Sequence, residues 1–426
     1  MWSEWSQETT AHGLSHLMNA RSRRAKIYWA VFLIICTLIM LQQVVMVCVN
    51  FADPSLMWTT TSYEQVSATL HPPTVTVCNY NRIVQSKADK TDFSDDLVNY
   101  YLGTFACMYP IPQSQFPQSV MDAFNSWRVA KNVSRSGVLD LLAPDCESMF
   151  VAAISPIFHL NAKRLCEGTL MKDGVEVRPI YSPEMGRCMQ LKFNTSSMYK
   201  LAGTTASVSL VMNLQSNEYL RQSINNFHDV GFAIQINYGA AVRFSQWLSV
   251  EAGKHSWIAL KKHRTFTTYG FMALIAPNCR QKPTMTFMPD EQYSPELCRL
   301  ECILLSTFEK CGCSPVIGSL PRTPVCELHQ QECNVLKFAG STRDQQSERI
   351  ISAMESLNSC MEKCVEPCDS EEAVFEITTT KYPSSRQIDS LTRTLKQYDI
   401  DFEPTATFRD YAALDIFYRS STITVR

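Results

Sequence analysis

The sequence lacks the short signatures that mark common enzyme active sites. It contains no HExxH helix, GxSxG turn, phosphate-binding P-loop or GxGxxG dinucleotide fingerprint. Its eight histidines are scattered, and none lies beside a nucleophile in a recognisable setting. A net charge of −2 without a long run of like charges gives no support for nucleic-acid binding. We therefore predict neither an enzyme nor a nucleic-acid-binding protein, and we expect no cofactor and no bound metal.

Long apolar runs are also scarce, because only Ile27–Val49 is long enough to cross a membrane. Its 23 residues carry no charge, and at about 1.5 Å per residue a helix of this length spans a hydrocarbon core of about 30 Å. The basic residues just before it are Arg21, Arg23, Arg24 and Lys26. Since Asp53 is the first charge after it, we predict a cytosolic segment 1–26, a transmembrane helix 27–49 and an extracellular domain 50–426. A cleaved signal peptide is the alternative, but no small-residue cleavage site follows the run.

The segment after the apolar run contains no low-complexity linker and no internal repeat, so we expect one multi-lobed domain. Strand patterns occur in TVTVCNY, RCMQLKF, ASVSLVMNL, VGFAIQINYG, TYGFMALIA, AVFEITTT and YAALDIFYRS. One helix is predicted after Ser294-Pro295 and another in SERIISAMESLNSCMEKC. The region 82–145 reads as short helices and loops. The fold class is therefore α+β.

Cysteine is abundant, with 17 residues, and ten of them follow a pattern. Each predicted helix carries two cysteines four residues apart, so both sulfurs of a pair lie on one helix face. Antiparallel packing of the helices predicts Cys298–Cys364 and Cys302–Cys360, and the ladder extends to Cys279–Cys368. In the intervening loop, the same nested order of bonds predicts Cys311–Cys333 and Cys313–Cys326. Together these pairs define a helical lobe over about residues 279–368.

Zinc binding is the alternative interpretation of this pattern. The spacings C-x-C and C-x3-C suit thiolate ligands, and a cytosolic location would favour them. Outside the cell thiols are oxidised, and the helix register accounts for all ten cysteines at once. Disulfides are therefore the favoured interpretation.

Several separated blocks, in order from about residue 10 to the end, resemble the degenerin/epithelial sodium channel family, which includes the acid-sensing channels. The blocks are TTAHGLSHL, HPPTVTVCNYN, GRCMQLKFN, NLQSNEYL with VGFAIQINYG, YSPELCRLECILLSTFEKCGCSPV, SCMEKCVEPC and LDIFYRS. The first contains the His-Gly motif, which precedes the first membrane span in the family and is linked there to gating. Any one block is a weak signal, but the ordered set together with the cysteine ladder is highly specific.

The resemblance implies a β-sheet palm and β-ball with a helical thumb, finger and knuckle above the membrane. It implies a plasma-membrane trimer, homomeric or mixed with related subunits, that conducts sodium as its transported ion and is blocked by amiloride. It assigns gating to His12 and Gly13, and it implies the disulfides Cys78–Cys188 and Cys146–Cys166. Cys107 receives no partner.

The chain ends where the family's second span is expected to begin. We therefore expect either a channel subunit that is truncated before the pore helix, or a non-conducting surface protein that modulates full-length subunits or binds a ligand. Asn132 and Asn194 lie in glycosylation sequons. Glu64, Glu218 and Asp415 are candidate proton- or cation-sensing acids, and ordinary solvated carboxylates are the alternative interpretation.

Overall fold

The computed structural model describes sixteen stretches of the chain, which fall into two units. The described residues are 13–52, 63–66, 73–104, 116–135, 137–167, 174–182, 185–193, 202–220, 229–237, 247–266, 279–280, 293–313, 358–384, 386, 388–397 and 410–425. The first unit holds residues 13–52, and the second holds the described residues from 63 onward. Each unit is described by itself.

Two helices make up the described part of the first unit, α1 (Leu14–Asn19) and α2 (Arg23–Ala52). The Ser22 hydroxyl accepts a hydrogen bond from the Ala25 amide at 3.1 Å, which caps the start of α2. Among the described residues, α2 is the one helix long and apolar enough to cross a membrane, over Arg23–Val49. Helix α2 therefore extends beyond the predicted span 27–49 at both ends.

The second unit contains a seven-stranded sheet in the order β13-β10-β14-β7-β3-β4, with β1 also paired to β14. Its strands are β1 (Tyr63–Val66), β3 (Phe150–Ser155), β4 (Phe158–Asn161), β7 (Val208–Asn213), β10 (Lys254–Phe266), β13 (Asp369–Lys381) and β14 (Tyr411–Val425). Strands β10 and β14 run parallel, and the other pairs are antiparallel. The register places Asp415 opposite Trp257 on one side and Ser209 on the other.

A five-stranded antiparallel sheet in the order β5-β6-β2-β8-β9 packs against it. Its strands are β2 (Thr74–Asn79), β5 (Val175–Ser182), β6 (Gly186–Phe193), β8 (Gly231–Asn237) and β9 (Leu248–Glu251). Every residue of β2 is buried, as expected for a strand with neighbours on both edges and cover on both faces. Val75 and Ile234 of this sheet share one apolar core with Leu210 and Leu414 of the other.

Short helices form a separate lobe around an aromatic core. They are α3 (Gln85–Lys90), α4 (Asp95–Thr104), α5 (Gln118–Ala130) and α6 (Gly137–Leu142). Phe93 packs against Trp127 with ring centroids 4.5 Å apart, and the Trp127 indole donates a hydrogen bond to the Thr91 carbonyl at 2.7 Å. Tyr101 is fully buried and donates to the Arg135 carbonyl, and burial raises the pKa of its hydroxyl. This lobe occupies most of the region predicted as short helices and loops.

The remaining elements hold the cysteine-rich segment and one end of the large sheet. They are α7 (Cys146–Met149), α8 (Ala162–Cys166), α9 (Pro295–Cys311), a helical turn at 358–361, α10 (Ile388–Gln397), and the parallel pair β11 (Cys279–Arg280) and β12 (Glu366–Pro367). Ser294 caps α9 by accepting a hydrogen bond from the Leu297 amide, with Pro295 in the first turn, as the Ser-Pro pair predicts. Helix α10 packs Leu395 against Val211 and Tyr411 of the sheet.

The predicted fold class is confirmed, since one apolar N-terminal helix accompanies a large β-rich domain that contains several disulfides. Six of the predicted strand segments coincide with β2, β6, β7, β8, β13 and β14. The segment TYGFMALIA and most of the second predicted thumb helix lie outside the described residues. Strands β1, β3, β4, β5, β9, β10, β11 and β12 were not predicted.

Candidate gating site

Gly13 begins α1 and lies directly against α2. Its φ of +91° belongs to the region that favours glycine, and a Cβ placed on it would lie 3.0 Å from Leu33 Cδ2 and 3.9 Å from Trp29 Cε3. Leu33 follows Ile27 by about 9 Å of helix rise, so it lies within the apolar stretch. The chain before α2 therefore folds back beside the candidate membrane span. His12, the other half of the predicted motif, lies outside the described residues.

Aromatic packing holds α1 on α2 at the same level. The His16 imidazole stacks on the Trp29 indole with ring centroids 4.8 Å apart and planes 17° apart. Trp29 also meets Tyr28 and Phe32 edge to face, each at 5.8 Å. His16 and Trp29 are additions to the predicted motif, because nothing in the sequence indicates that residues thirteen positions apart are in contact.

Asp415 is buried in the first half of β14 and contacts a histidine on the neighbouring strand. His255 Nε2 lies 2.9 Å from Asp415 Oδ2, and the side chains are 21% and 9% exposed. The His255 ring stacks on Trp257 with centroids 4.5 Å apart and meets the Tyr382 ring at 5.6 Å. Burial, followed by the charge of Asp415, raises the pKa of Tyr382 to about 12. Asp415 is therefore not an ordinary solvated carboxylate.

The chemistry of this pair depends on the charge of the imidazole. A protonated His255 forms an ion pair with Asp415, whereas a neutral His255 forms only a hydrogen bond with it. The contact joins β10 to β14. His255 is a further addition to the predicted residues. The apolar run WIAL could have indicated its strand, but not the register with Asp415.

Glu64 and Glu218 have different partners from that of Asp415. Glu64 on β1 forms an exposed ion pair with Lys261 on β10 at 2.9 Å. Glu218 accepts a hydrogen bond from the Ser86 amide at 3.0 Å, and its backbone carbonyl accepts another from the Asn81 side chain at 2.8 Å. A carboxylate at the start of α3 satisfies a free helix amide, so the contact gives Glu218 the role of a helix cap. The three acids therefore serve three separate contacts.

Arg419 occupies the same face of the sheet as Asp415, four residues further along β14. Its guanidinium lies 2.6 Å from the Glu376 carboxylate on β13, and both side chains are more than 60% exposed. Phe417, between Asp415 and Arg419, meets Trp257 edge to face at 6.5 Å. Exposed ion pairs contribute little to stability because water screens them. The two pairs therefore differ in solvent access and in the identity of the cation.

Five disulfides lie within the described residues, and they use the predicted partners. They are Cys78–Cys188, Cys146–Cys166, Cys279–Cys368, Cys298–Cys364 and Cys302–Cys360. Cys313 is also disulfide-bonded, while its predicted partner Cys326 and the predicted partner of Cys311, Cys333, lie outside the described residues, as does Cys107. Cys36 and Cys48 on α2 are free and exposed.

The sulfurs of Cys298, Cys302 and Cys364 lie within 4.8 Å of one another, close enough to suggest a metal site. Each of these sulfurs belongs to a disulfide, however, and metal ions bind the thiolate form of cysteine. The cluster is therefore two adjoining disulfides, and the favoured interpretation of the cysteine pattern accounts for it.

Asn132 lies at the end of α5, where an attached sugar would have access to solvent. Its side chain and that of Ser134 are exposed, and its backbone has a φ of +52°. Asn194, the second predicted sequon, lies outside the described residues.

A long apolar helix and a disulfide-braced β domain match the membrane-protein fold that the sequence resemblance implies. Residues 5–425 match the family model of the amiloride-sensitive sodium channel, and the chain belongs to that family. The bile acid-sensitive ion channel of Rattus norvegicus is 22% identical over 412 residues, which cover 92% of this chain and 74% of the rat protein. Members of this family are ion channels rather than enzymes, and they form oligomers.

Proposed function

We propose that this chain is a subunit of a trimeric, amiloride-sensitive sodium channel at the plasma membrane, with its N-terminus in the cytosol. The domain that follows α2 lies outside the cell and controls opening. The three subunits are copies of this chain or related chains. The family match over residues 5–425 supports the proposal, since sodium is the ion that the family transports.

The observation that carries the gating assignment is the packing of Gly13 on α2. A side chain at Gly13 would be strained by its φ of +91° and would require Leu33 Cδ2, 3.0 Å from the Cβ position, to move. Movement of α1 therefore requires movement of α2, or separation of the two helices. Such a tight contact beside a membrane span is suited to hold a pore closed or open.

The pair His255–Asp415 supports a second part of the proposal, in which the large sheet responds to protons. Asp415 is the most buried of the three candidate acids, and its contact with His255 at 2.9 Å links β14 to β10.

Co-expression with a full-length relative tests the subunit assignment. We expect this chain, expressed with the rat bile acid-sensitive ion channel, to change the amplitude or the amiloride sensitivity of the sodium current. A matched chain carrying Gly203→Ala, which alters an open surface turn, should act like the natural sequence. Unchanged current, with both chains demonstrated at the cell surface, would contradict a subunit role of either kind.

Glycosylation tests the assignment of sides. If the domain after α2 is extracellular, Asn132 receives a glycan. Glycosidase treatment then lowers the apparent mass of the chain on electrophoresis, and Asn132→Gln should make this decrease smaller by one glycan. Lys131→Gln leaves the sequon intact and should retain the full decrease. A glycosidase-insensitive chain at the cell surface would contradict the proposed topology at this site.

A further inference from the structure

Two neighbouring disulfides, Cys298–Cys364 and Cys302–Cys360, are the central part of the predicted cysteine ladder, and we call these two bonds the disulfide ladder. The sulfurs of Cys302 and Cys364 belong to different bonds yet lie only 3.8 Å apart. Since a disulfide bond is about 2.05 Å long, these two sulfurs need to approach by about 1.8 Å to become bonded. A bond between Cys302 and Cys364 is therefore a second possible pairing that requires only a small movement.

Solvent access divides the four sulfurs into two inner and two outer ones. Cys302 and Cys364 are only 3% and 7% exposed, whereas Cys298 and Cys360 are half-buried. A dissolved thiol therefore meets an outer sulfur first. Each outer sulfur is bonded to an inner one. Attack on Cys298 therefore releases Cys364, and attack on Cys360 releases Cys302. In both cases the released sulfur lies beside the other inner sulfur.

We propose that the disulfide ladder is a modification site for a low-molecular-weight thiol such as glutathione. The thiol becomes attached to one outer cysteine, the inner cysteines Cys302 and Cys364 join to each other, and the other outer cysteine is released as a free thiol. The proposal concerns the chemistry of the ladder and does not depend on conduction.

Entry at Cys298 shows how the bonds balance. The glutathione thiolate attacks Cys298 Sγ, the Cys298–Cys364 bond breaks, and its electron pair leaves on Cys364 as a thiolate. That thiolate attacks Cys302 Sγ, the Cys302–Cys360 bond breaks, and Cys360 leaves as a thiolate that takes a proton from water. The reactants are two protein disulfides and the glutathione thiol. The products are the disulfide between glutathione and Cys298, the disulfide Cys302–Cys364 and the Cys360 thiol. The number of disulfides is unchanged, so no external oxidant is required.

Entry at Cys360 leads to the same inner bridge. Attack there releases Cys302, which then attacks Cys364 and expels Cys298. The new bridge joins residues one helical turn out of the original register, so it displaces the two helical segments along each other by at most about 6 Å.

Tryptic mapping of the full chain in detergent tests the exchange directly. Cleavage after Arg299 and Lys363 places the four ladder cysteines on four different peptides. After incubation with glutathione and quenching with N-ethylmaleimide, we expect Cys302 to be joined to Cys364 in a species of three peptides, because Cys364 shares its peptide with Cys368, which is bonded to Cys279. Glutathione on one of Cys298 and Cys360, and N-ethylmaleimide on the other, should accompany it. N-ethylmaleimide on Cys302 or Cys364, or a ladder that does not react, would overturn the proposal.

The variant Cys298→Ser removes the need for an added thiol. It leaves Cys364 without its partner, so exchange should move the free thiol to Cys360 and N-ethylmaleimide should label Cys360. Cys146→Ser is the matched control, because it opens the half-buried bridge Cys146–Cys166 and the label should stay on Cys166. Label on Cys364 in Cys298→Ser would overturn the proposal. If this variant fails to fold, the mapping of the natural sequence remains decisive.

Discussion

Replacing Gly13 with alanine is expected to reduce the current to which this chain contributes about tenfold or more, while its amount at the cell surface stays unchanged. The substitution has two costs. An L-residue held at a φ of +91° is strained by about 1–3 kcal/mol, and each 1.4 kcal/mol corresponds to about a tenfold change in an equilibrium. The new methyl group would also lie 3.0 Å from Leu33 Cδ2, closer than such carbons pack. Whole-cell recording together with surface biotinylation measures both quantities.

Two further variants separate strain from crowding in this experiment. Gly203 has a similar φ of +101°, but no atom lies within 4 Å of its Cβ position, so Gly203→Ala introduces strain without crowding and should preserve the current. Leu33→Ala combined with Gly13→Ala removes the crowding and leaves the strain, so we expect partial recovery. A Gly13→Ala chain with full current would show that the contact between α1 and α2 does not control opening.

The predicted parts of the fold are those that depend on residues close together in sequence. The apolar run of α2, the Ser294-Pro295 start of α9 and the cysteine spacing of four each express a local helical rule. The ladder pairs followed because two such spacings fit each other in an antiparallel register. Strand β10 was not predicted, since its short apolar run Trp257–Leu260 is followed by four basic residues instead of an alternating pattern.

The contacts of the candidate site could not be predicted, because they join distant residues through tertiary register. His255 and Asp415 are 160 positions apart, and they meet only because β10 and β14 pair in parallel with Trp257 opposite Asp415. Glu218 caps α3 across 132 positions for the same kind of reason. The sequence indicates candidate sensor acids. It does not show which of them is buried beside a histidine, because that depends on how the strands of the sheet pair.

Breaking the buried pair is expected to have the second large effect. In a double-mutant cycle with Asp415→Asn and His255→Gln, we expect a coupling of about 1–2 kcal/mol in the free energy of unfolding of the detergent-solubilised chain with its disulfides intact. The side chains are mostly withdrawn from water, which strengthens their attraction. Chemical unfolding followed by near-ultraviolet circular dichroism gives the four free energies.

An exposed ion pair on the same sheet shows whether burial is the origin of this coupling. The side chains of Arg419 and Glu376 are both more than 60% exposed, so the same cycle with Arg419→Gln and Glu376→Gln should give less than about 1 kcal/mol. Equal couplings for the two pairs would show that burial does not strengthen the contact between β10 and β14. A larger coupling for His255–Asp415, together with a reduced current in Asp415→Asn at unchanged surface amount, would make this contact the link between the two strands on which opening depends.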